Sequence, residues 1–358
     1  MRRTIDDITA AGILRAVGLG AAALLAGAGA GRAAERADVP VHQTVLPDGD
    51  PRYSVPVTVG NGPPIEAALD TGSFGLRVLA SALSPGQYEA TDIHRRYPFG
   101  GGARFDGILA RATLGVGPVR TDAPVLFQRI DRVDCVEEKP DCPASKVSAA
   151  DYLIAGDGYP GQGFPAILGL SLRRAPGGVD GAPNPLSLAG DRSWILVLPR
   201  PGSAEPGHLI IDPDDRDRAG FTLLKLDPQP GTAGDEPPGW ADAALPGCLV
   251  GRGKDERYCG RTLLDTGAPG LSVASPAARG PKPWGAGRSA SFEIGGTGGP
   301  VAIPFTSGQG PATRVTLHPP RGQGPAISAG TLPYLSYEVL YDARAGTIGF
   351  KPRDPAEP

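Results

Sequence analysis

Residues 66–78 read Glu-Ala-Ala-Leu-Asp-Thr-Gly-Ser-Phe-Gly-Leu-Arg-Val, and residues 260–273 read Gly-Arg-Thr-Leu-Leu-Asp-Thr-Gly-Ala-Pro-Gly-Leu-Ser-Val. Each stretch has an apolar run, then Asp-Thr-Gly, and then Gly-Leu-x-Val at matched spacing. One Asp-Thr-Gly arises easily by chance in a chain with 53 glycines among 358 residues. Two copies in a shared frame indicate an internal duplication. The sequence therefore predicts two related halves, one around Asp70 and one around Asp265.

The rest of the chain alternates short apolar runs with Gly and Pro turns, from about Val41 to Phe350. Helical periodicity is nearly absent, and punctuation spaced in this way is typical of all-β proteins. A chain of 358 residues is long enough for two packed lobes of ordinary domain size. We therefore expect an all-β fold.

The repeated motif has a chemical meaning if its two copies meet. A strand that runs into Asp-Thr-Gly places a carboxylate at a turn, where glycine allows the backbone to approach closely. A single copy is most often a turn in which the aspartate caps backbone amides. Two facing carboxylates cannot both be charged cheaply, so they share one proton over a range of pH. Such a pair can activate a water for attack on an amide carbonyl, with neither a metal nor a cofactor.

The two copies resemble the catalytic loops of the pepsin-like aspartic peptidases, in which two β-lobes each contribute one Asp-Thr-Gly to a central cleft. The resemblance implies an all-β, bilobal fold with two β-barrel-like lobes and the cleft between them. It extends in family order over most of the chain, including an opening strand, a flap return strand, a bracing segment, paired middle strands and closing strands: 57–64, 107–109, 166–170, 194–198 with 208–212, and 337–342 with 346–350. The implied organisation is an export signal (1–34), a short linker (35–40), an N-terminal lobe (41–195), a C-terminal lobe (196–353) and a tail (354–358).

The resemblance also implies an activity, that of an exported aspartic endopeptidase with Asp70 and Asp265 as its catalytic residues. The residues expected to shape the two catalytic loops are Thr71, Gly72, Ser73, Thr266 and Gly267. We expect the substrate to be a peptide or unfolded protein held extended across the cleft. Both halves lie in one chain, which favours a monomer over a dimer of single lobes. The alternative is a secreted binding protein that keeps the bilobal shape without catalysis.

Two positions next to the repeated motifs, Arg77 and Ala268, depart from the family pattern. Arg77 stands where the family has an apolar residue or tryptophan. Ser73 supplies a hydroxyl next to the first aspartate, whereas Ala268 supplies none next to the second. Because a hydroxyl that donates to a carboxylate lowers its pKa, we expect a pair that titrates less acidically than one with two such hydroxyls.

The flap that covers the cleft in this family is the weakest match. The family carries a tyrosine near the flap tip, and here Gly100-Gly101-Gly102 falls at that position. Tyr97 and Phe99 are close by, and either could take the role if the register slips. Both are equally well explained as ordinary packed aromatic residues.

The four cysteines favour an oxidising compartment. Cys135 and Cys142 lie close in sequence, as do Cys248 and Cys259, so local pairing is favoured among the three possible connectivities. The second pair brackets Gly251-Arg252-Gly253, a plausible hairpin turn. A zinc site is disfavoured because the chain has no C-x-x-C spacing and its four histidines are scattered.

The first 34 residues differ in composition from everything after them. Arg2 and Arg3 precede an apolar stretch over 16–30 that ends in small residues, as in an export signal. The paired arginines leave both a twin-arginine and a general route open. The formal charge of −3 gives no reason to expect nucleic acid, and no later segment could span a membrane. We therefore expect a periplasmic or extracellular protein.

Overall fold

The structure is a computed structural model that describes residues 35–174, 181–229, 239–253, 256–296, 298–320, 322 and 326–354. The predicted export signal at 1–34 lies outside the described residues. Ala34–Pro358 forms one compact unit. Across the described ranges, no helix has both the length and the apolar character needed to cross a bilayer.

The elements are almost all strands. In the first half these are β1 (Ala37–Val45), β2 (Pro51–Val59), β3 (Ile65–Asp70), β4 (Phe74–Leu79), β5 (Glu89–Pro98), β6 (Ala103–Ala112), β7 (Leu114–Val116), β8 (Val119–Arg120), β9 (Val125–Cys135) and β10 (Ala166–Leu170). In the second half they are β11 (Ser193–Val197), β12 (Gly207–Ile211), β13 (Thr222–Lys225), β14 (Leu245–Gly251), β15 (Arg257–Leu263), β16 (Leu271–Ala274), β17 (Lys282–Pro283), β18 (Ser289–Ile294), β19 (Val301–Thr306), β20 (Val315–His318), β21 (Ile327–Ser328), β22 (Tyr337–Asp342) and β23 (Thr347–Pro352).

Helices are short and lie between strands. The α-helices are α1 (Asp215–Arg218) and α2 (Leu332–Ser336). Single 3₁₀ turns occur at Ala80–Ala82, Pro143–Ser145, Pro185–Leu188, Asp242–Ala244 and Pro311–Thr313. Pro stands at the start of three of these turns, where its missing N–H costs nothing.

The described strands form two sheets. The larger has 15 strands, with its main path in the order β13-β23-β22-β11-β12-β1-β2-β3-β10-β4-β9-β6-β5. The smaller has 8 strands, in the order β17-β20-β16-β21-β15-β14-β18-β19. The expectation of an all-β fold is therefore confirmed.

The duplication seen in the sequence is also present in the strand pairing. In the first half, β10 lies between β3, which it meets in parallel, and β4, which it meets antiparallel. In the second half, β21 lies between β15 and β16 with the same two orientations. The outer neighbours match as well, because β4 pairs in parallel with β9 and β16 pairs in parallel with β20. Asp70 of the first Asp-Thr-Gly is the last residue of β3, and Asp265 of the second comes two residues after the end of β15. Each motif therefore lies at the end of the first strand of its four-strand unit.

One part of the larger sheet joins the two halves of the chain. Its strand β1 pairs with β12 through residues 37–41 and with β2 through residues 42–45. Trp194 of β11 is fully buried and stacks on Tyr341 of β22, with ring centroids 5.8 Å apart. The core beneath the sheet is continuous between residues of both halves.

Two predicted boundaries fall inside strands of this joining sheet. The segment 35–40, expected to be a linker, contains the start of β1 at Ala37. The physical reason is alternation, since Ala37, Val39 and Val41 are buried while the residues between them are exposed. The predicted lobe boundary between 195 and 196 lies within β11.

Both disulfides are local. Cys135 pairs with Cys142 after the end of β9, with 5.5 Å between their Cα atoms. Cys248 and Cys259 are directly opposite partners on β14 and β15, and their disulfide joins the two strands of that hairpin. The pairing favoured by the spacing is the one that the structure has.

Candidate active site

The two Asp-Thr-Gly loops are held by equivalent strands. Asp70 is the last residue of β3, and its backbone partner on β10 is Gly169. Asp265 follows β15 by two residues, and the partner of Leu263 on β21 is Ser328. Each loop is therefore braced by a strand from later in its own half. Glycine at 169 is required, because a Cβ there would lie 2.4 Å from the backbone nitrogen of Phe74.

The two threonines lock the loops together. The amide of Thr71 donates to the Oγ1 of Thr266 at 3.0 Å, and the amide of Thr266 donates to the Oγ1 of Thr71 at the same distance. Each hydroxyl also donates across the pair, Thr71 to the Leu264 carbonyl at 3.1 Å and Thr266 to the Leu69 carbonyl at 2.8 Å. The hydrogen bonds are reciprocal and almost fully buried, so they fix the relative position of the two aspartates.

The glycines of the two motifs lie against the opposite carboxylates. A Cβ on Gly72 would be 2.5 Å from Asp265 Oδ1 and 3.0 Å from Asp70 Oδ1. A Cβ on Gly267 would be 2.8 Å from Asp70 Oδ1. No side chain fits at either position, so glycine is what allows the two carboxylates to approach each other.

Hydrogen bonds, burial and mutual repulsion determine how the two carboxyl groups hold a proton. Asp70 accepts a hydrogen bond from the Gly72 amide at 2.8 Å, and Asp265 accepts one from the Gly267 amide at 3.1 Å. Burial, followed by the negative charge of Asp70, raises the pKa of Asp265 to about 7. A side-chain hydrogen bond between the two aspartates raises it further. At mildly acidic pH, Asp265 is therefore the protonated member of the pair.

The serine hydroxyl that bonds to the aspartate pair is not the one expected from the sequence. The Oγ of Ser73 is buried and has no hydrogen-bond partner among the described residues, so it does not bond to Asp70 as expected. Instead, the Oγ of Ser328 donates to Asp265 Oδ2 at 3.0 Å. The pKa of Asp265 is raised, in the direction that Ala268 predicts, but burial and the neighbouring carboxylate are the main causes.

Two tyrosines support the floor of the site. Tyr334 of α2 donates through its hydroxyl to Thr71 Oγ1 at 2.8 Å, and it is also hydrogen-bonded to the hydroxyl of Tyr341. Both are fully buried, and burial raises the pKa of each above its usual range. The sequence pattern did not single them out, because nothing local links α2 to a loop 263 residues earlier.

An ion pair between the partly exposed Arg173 and the buried Asp242 supports the first catalytic loop. Arg173 donates to the carbonyl of Gly72 at 2.6 Å and forms a salt bridge of 2.8 Å with Asp242. Asp242 is buried and also accepts hydrogen bonds from the Ser171 hydroxyl and the Leu172 amide. Burial raises the pKa of Asp242, while Arg173 opposes that effect. No motif or spacing in the sequence indicated this cluster.

The hairpin of β5 and β6, with its turn at 99–102, lines one side of the cleft, and we call it the flap. Tyr97 and Phe99 both line the cleft together with Asp70 and Asp265. Their rings contact each other edge to face, with centroids 4.8 Å apart. Phe99 also packs on Phe105, in a cluster with Tyr152.

Arg77, the unusual residue of the first motif, lies under the flap. Its guanidinium carbon is 3.6 Å from the ring centroid of Tyr97, a close cation–π contact. Its Nη1 donates to the Phe74 carbonyl at 2.6 Å, while its Nε is buried without a partner among the described residues. Only 2% of Arg77 is exposed, and burial lowers its pKa.

The cleft itself has a volume of about 610 Å³. The dyad forms its floor, and the flap and the segment after the Cys135–Cys142 disulfide form one wall. That wall is rich in apolar and aromatic side chains: Phe99, Phe105, Tyr152 and Ile154. Ile167 of β10 also lines the cleft. Arg52 and Asp157, which form an ion pair, lie at its edge.

No protein-family model and no curated protein matches the sequence. Among solved structures, the chain is similar to an aspartic proteinase from Irpex lacteus, with a TM-score of 0.57 and 14% identity. The match covers 89% of this chain and 98% of that one. At this identity the likeness concerns the fold. The protein therefore has the bilobal fold of the pepsin-like aspartic peptidases.

Proposed function

We propose that the protein is an exported aspartic endopeptidase that hydrolyses peptide bonds with Asp70 and Asp265. The observation that carries this proposal is the meeting of two carboxylates, one from each half, at the floor of a cleft in a peptidase fold. A raised pKa in a cleft, next to a second carboxylate, is typical of catalytic pairs.

The proposed reaction divides acid and base roles between the aspartates. Asp265, with its raised pKa, holds the proton below about pH 7. As Asp70 takes a proton from a water, the water oxygen bonds to the carbonyl carbon, and Asp265 gives its proton to the carbonyl oxygen. The resulting diol then returns a proton to Asp265, while Asp70 protonates the leaving nitrogen and the C–N bond breaks. The pair ends as it began.

The walls of the cleft support a peptide substrate, or an unfolded protein, bound as an extended chain. Aromatic and aliphatic side chains of the wall provide room for an apolar side chain, and extended backbone fits a groove between two β-lobes. The gap between dyad and flap is bordered by Tyr97 and Phe99, and both remain candidates for the flap aromatic.

The proposal includes export to the periplasm or the cell exterior, as a monomer. It is supported by the two disulfides, which persist in oxidising compartments, and by the composition of residues 1–34. Both catalytic loops come from one chain, so a monomer has a complete site.

The test is hydrolysis of a denatured protein at pH 3 to 6, with and without pepstatin. Wild type should cleave, pepstatin should inhibit, and Asp70→Asn should lose at least a hundredfold in rate, on the order of a general acid–base contribution. Asp212→Asn is the matched control, because Asp212 is buried like Asp70 but does not line the cleft.

Equal hydrolysis by wild type and Asp70→Asn would contradict the proposal. No hydrolysis by a folded wild type would favour the alternative, a secreted binding protein that keeps the fold without catalysis.

A further inference from the structure

The two aspartates differ in the hydroxyl that serves them. The motif has Ser73 after its first copy and Ala268 after its second, so the loops alone would give a hydroxyl to Asp70 only. The structure shows the reverse. Ser328 donates to Asp265 Oδ2 at 3.0 Å, whereas the Ser73 hydroxyl is 3% exposed and has no partner in the described part of the chain.

The pairing of its strand places Ser328 where its hydroxyl can donate to Asp265. It lies on β21, the strand inserted between β15 and β16, and its backbone neighbours are Leu263 on one side and Ser272 on the other. Both neighbouring strands belong to the unit that carries Asp265. Ser328 is therefore positioned by strand pairing, and it also lines the cleft.

We propose that Ser328 is a positioning residue that holds the Asp265 carboxyl group in the orientation that the reaction uses and sets the pH at which this group loses its proton. This inference rests on the proposed function. The hydroxyl that donates to Asp265 comes from Ser328 of β21, because the loop residue at 268 is alanine and has no hydroxyl.

The other titratable groups around Asp265 do not take the place of the Ser328 hydroxyl. Asp70 faces Asp265 from β3 with a like charge, and three tyrosines face Asp265 from β5, α2 and β22: Tyr97, Tyr334 and Tyr341. The pKa of each tyrosine is raised, so all three stay neutral at working pH. His318 of β20 lines the same cleft and contacts the Pro319 carbonyl. Apart from the Gly267 amide, Ser328 is the donor that favours the charged form of Asp265.

The first readout is the pH dependence of kcat/KM on a peptide substrate. Removing a donor to a carboxylate raises its pKa, so Ser328→Ala should move the basic limb of the profile upward by about one pH unit. Ser328→Thr keeps the hydroxyl and should restore the limb. Ser73→Ala removes a buried hydroxyl that has no hydrogen-bond partner within the described ranges, so it should leave the limb in place.

The second readout does not depend on catalysis. Asp265 has a folded pKa above its unfolded value, so its stabilising contribution is present below about pH 4 and is lost as the pH rises through about 7. Ser328→Ala raises the folded pKa further and increases that loss. The difference in Tm between wild type and Ser328→Ala should therefore be small at pH 4 and larger at pH 8.

These readouts separate the inference from the function on which it rests. A basic limb that stays in place in Ser328→Ala, with a Tm difference that is the same at pH 4 and pH 8, would overturn the role of Ser328. An inactive wild type with a Tm difference that grows with pH would overturn the peptidase proposal, while supporting the hold of Ser328 on Asp265.

Discussion

At the scale of single residues, two identical side chains are made different by their surroundings. Asp70 ends a strand and is bonded by the amide of its own loop. Asp265 is bonded by its own loop amide and by Ser328, and it sits against the charge of Asp70. Burial of a carboxylate beside another favours its neutral form. A proton therefore has a defined place in the pair.

The raised pKa of Asp265 has a cost in stability that a single substitution should relieve. Asp265→Asn imitates the neutral side chain, so it should match wild type near pH 4 and be the more stable protein at pH 8. The gain in the free energy of unfolding is at most about 4 kcal/mol, because the pKa of Asp265 is raised from 3.8 to about 7 and one pKa unit corresponds to about 1.4 kcal/mol. Urea unfolding at the two pH values measures it. Asp212→Asn controls for general effects of removing a buried charge.

A variant Asp265→Asn that is less stable than wild type at pH 8 would show that the carboxylate is held charged at that pH. This outcome would place the proton elsewhere in the site.

At the scale of elements, the flap is fastened more firmly than a free hairpin. Strand β9 pairs along the whole length of β6, and the amide of Val136 donates to the Gly102 carbonyl at the flap turn. The Cys135–Cys142 disulfide closes the segment that packs against this turn. Below the hairpin, Arg77 connects the strand after the first motif to the ring of Tyr97. The flap aromatics are thus positioned from three sides.

Arg77 contacts Tyr97 at a cost in desolvation free energy, because its guanidinium is buried. The guanidinium of Arg77 is buried and its Nε has no partner among the residues that the structure describes, so its contacts replace its lost hydration only in part. Arg77→Met should keep or increase the Tm, while kcat/KM falls about tenfold because Tyr97 loses its cation–π contact. Thermal unfolding and peptide hydrolysis measure the two effects.

Arg77→Lys is the matched variant, because it keeps the charge and loses the flat contact with the ring. The account would be contradicted if Arg77→Met lost several degrees of Tm while its kcat/KM stayed at the wild-type value.

At the scale of the whole molecule, the sequence pattern and the fold agree where the information is local and repeated. The Asp-Thr-Gly frame predicted that Asp70 and Asp265 belong to equivalent units, and the pairing of β10 with β3 and of β21 with β15 shows those units. The segment 166–170 was expected to be a brace from its resemblance to the family's bracing segment, and it is β10.

The missed contacts all join residues that are far apart in the chain. Ser328 reaches Asp265 across 63 residues, Tyr334 reaches Thr71 across 263, and Arg173 reaches Gly72 across 101. A serine in a short apolar strand or an arginine in a turn carries no mark of its partner. These pairings are decided by how the strand units pack, and the sequence pattern does not state that packing.

The ion pair of Arg173 shows how distant segments meet at the site. Arg173→Met leaves Asp242 buried without its cation and frees the Gly72 carbonyl. We expect a loss of about 2 kcal/mol in the free energy of unfolding at pH 7, discounted from larger values because Arg173 is partly exposed. The loss should be smaller at pH 4, since Asp242, whose pKa is raised, can take up a proton.

Urea unfolding at both pH values tests this, with Arg96→Met as the control. Arg96 forms an exposed ion pair with Asp106, and its removal should cost little. A loss from Arg173→Met that is no greater at pH 7 than at pH 4 would contradict the assignment of Asp242 as a charge held by Arg173.

In the proposed reaction, a proton shared by Asp70 and Asp265 allows the pair to activate a water for attack on the peptide bond. The most direct measurement is kcat/KM for a peptide substrate from pH 2 to pH 9. The account predicts a bell-shaped profile whose basic limb falls near pH 7, where Asp265 loses its proton. Full activity sustained to pH 9, or a profile that keeps rising below pH 3, would contradict it.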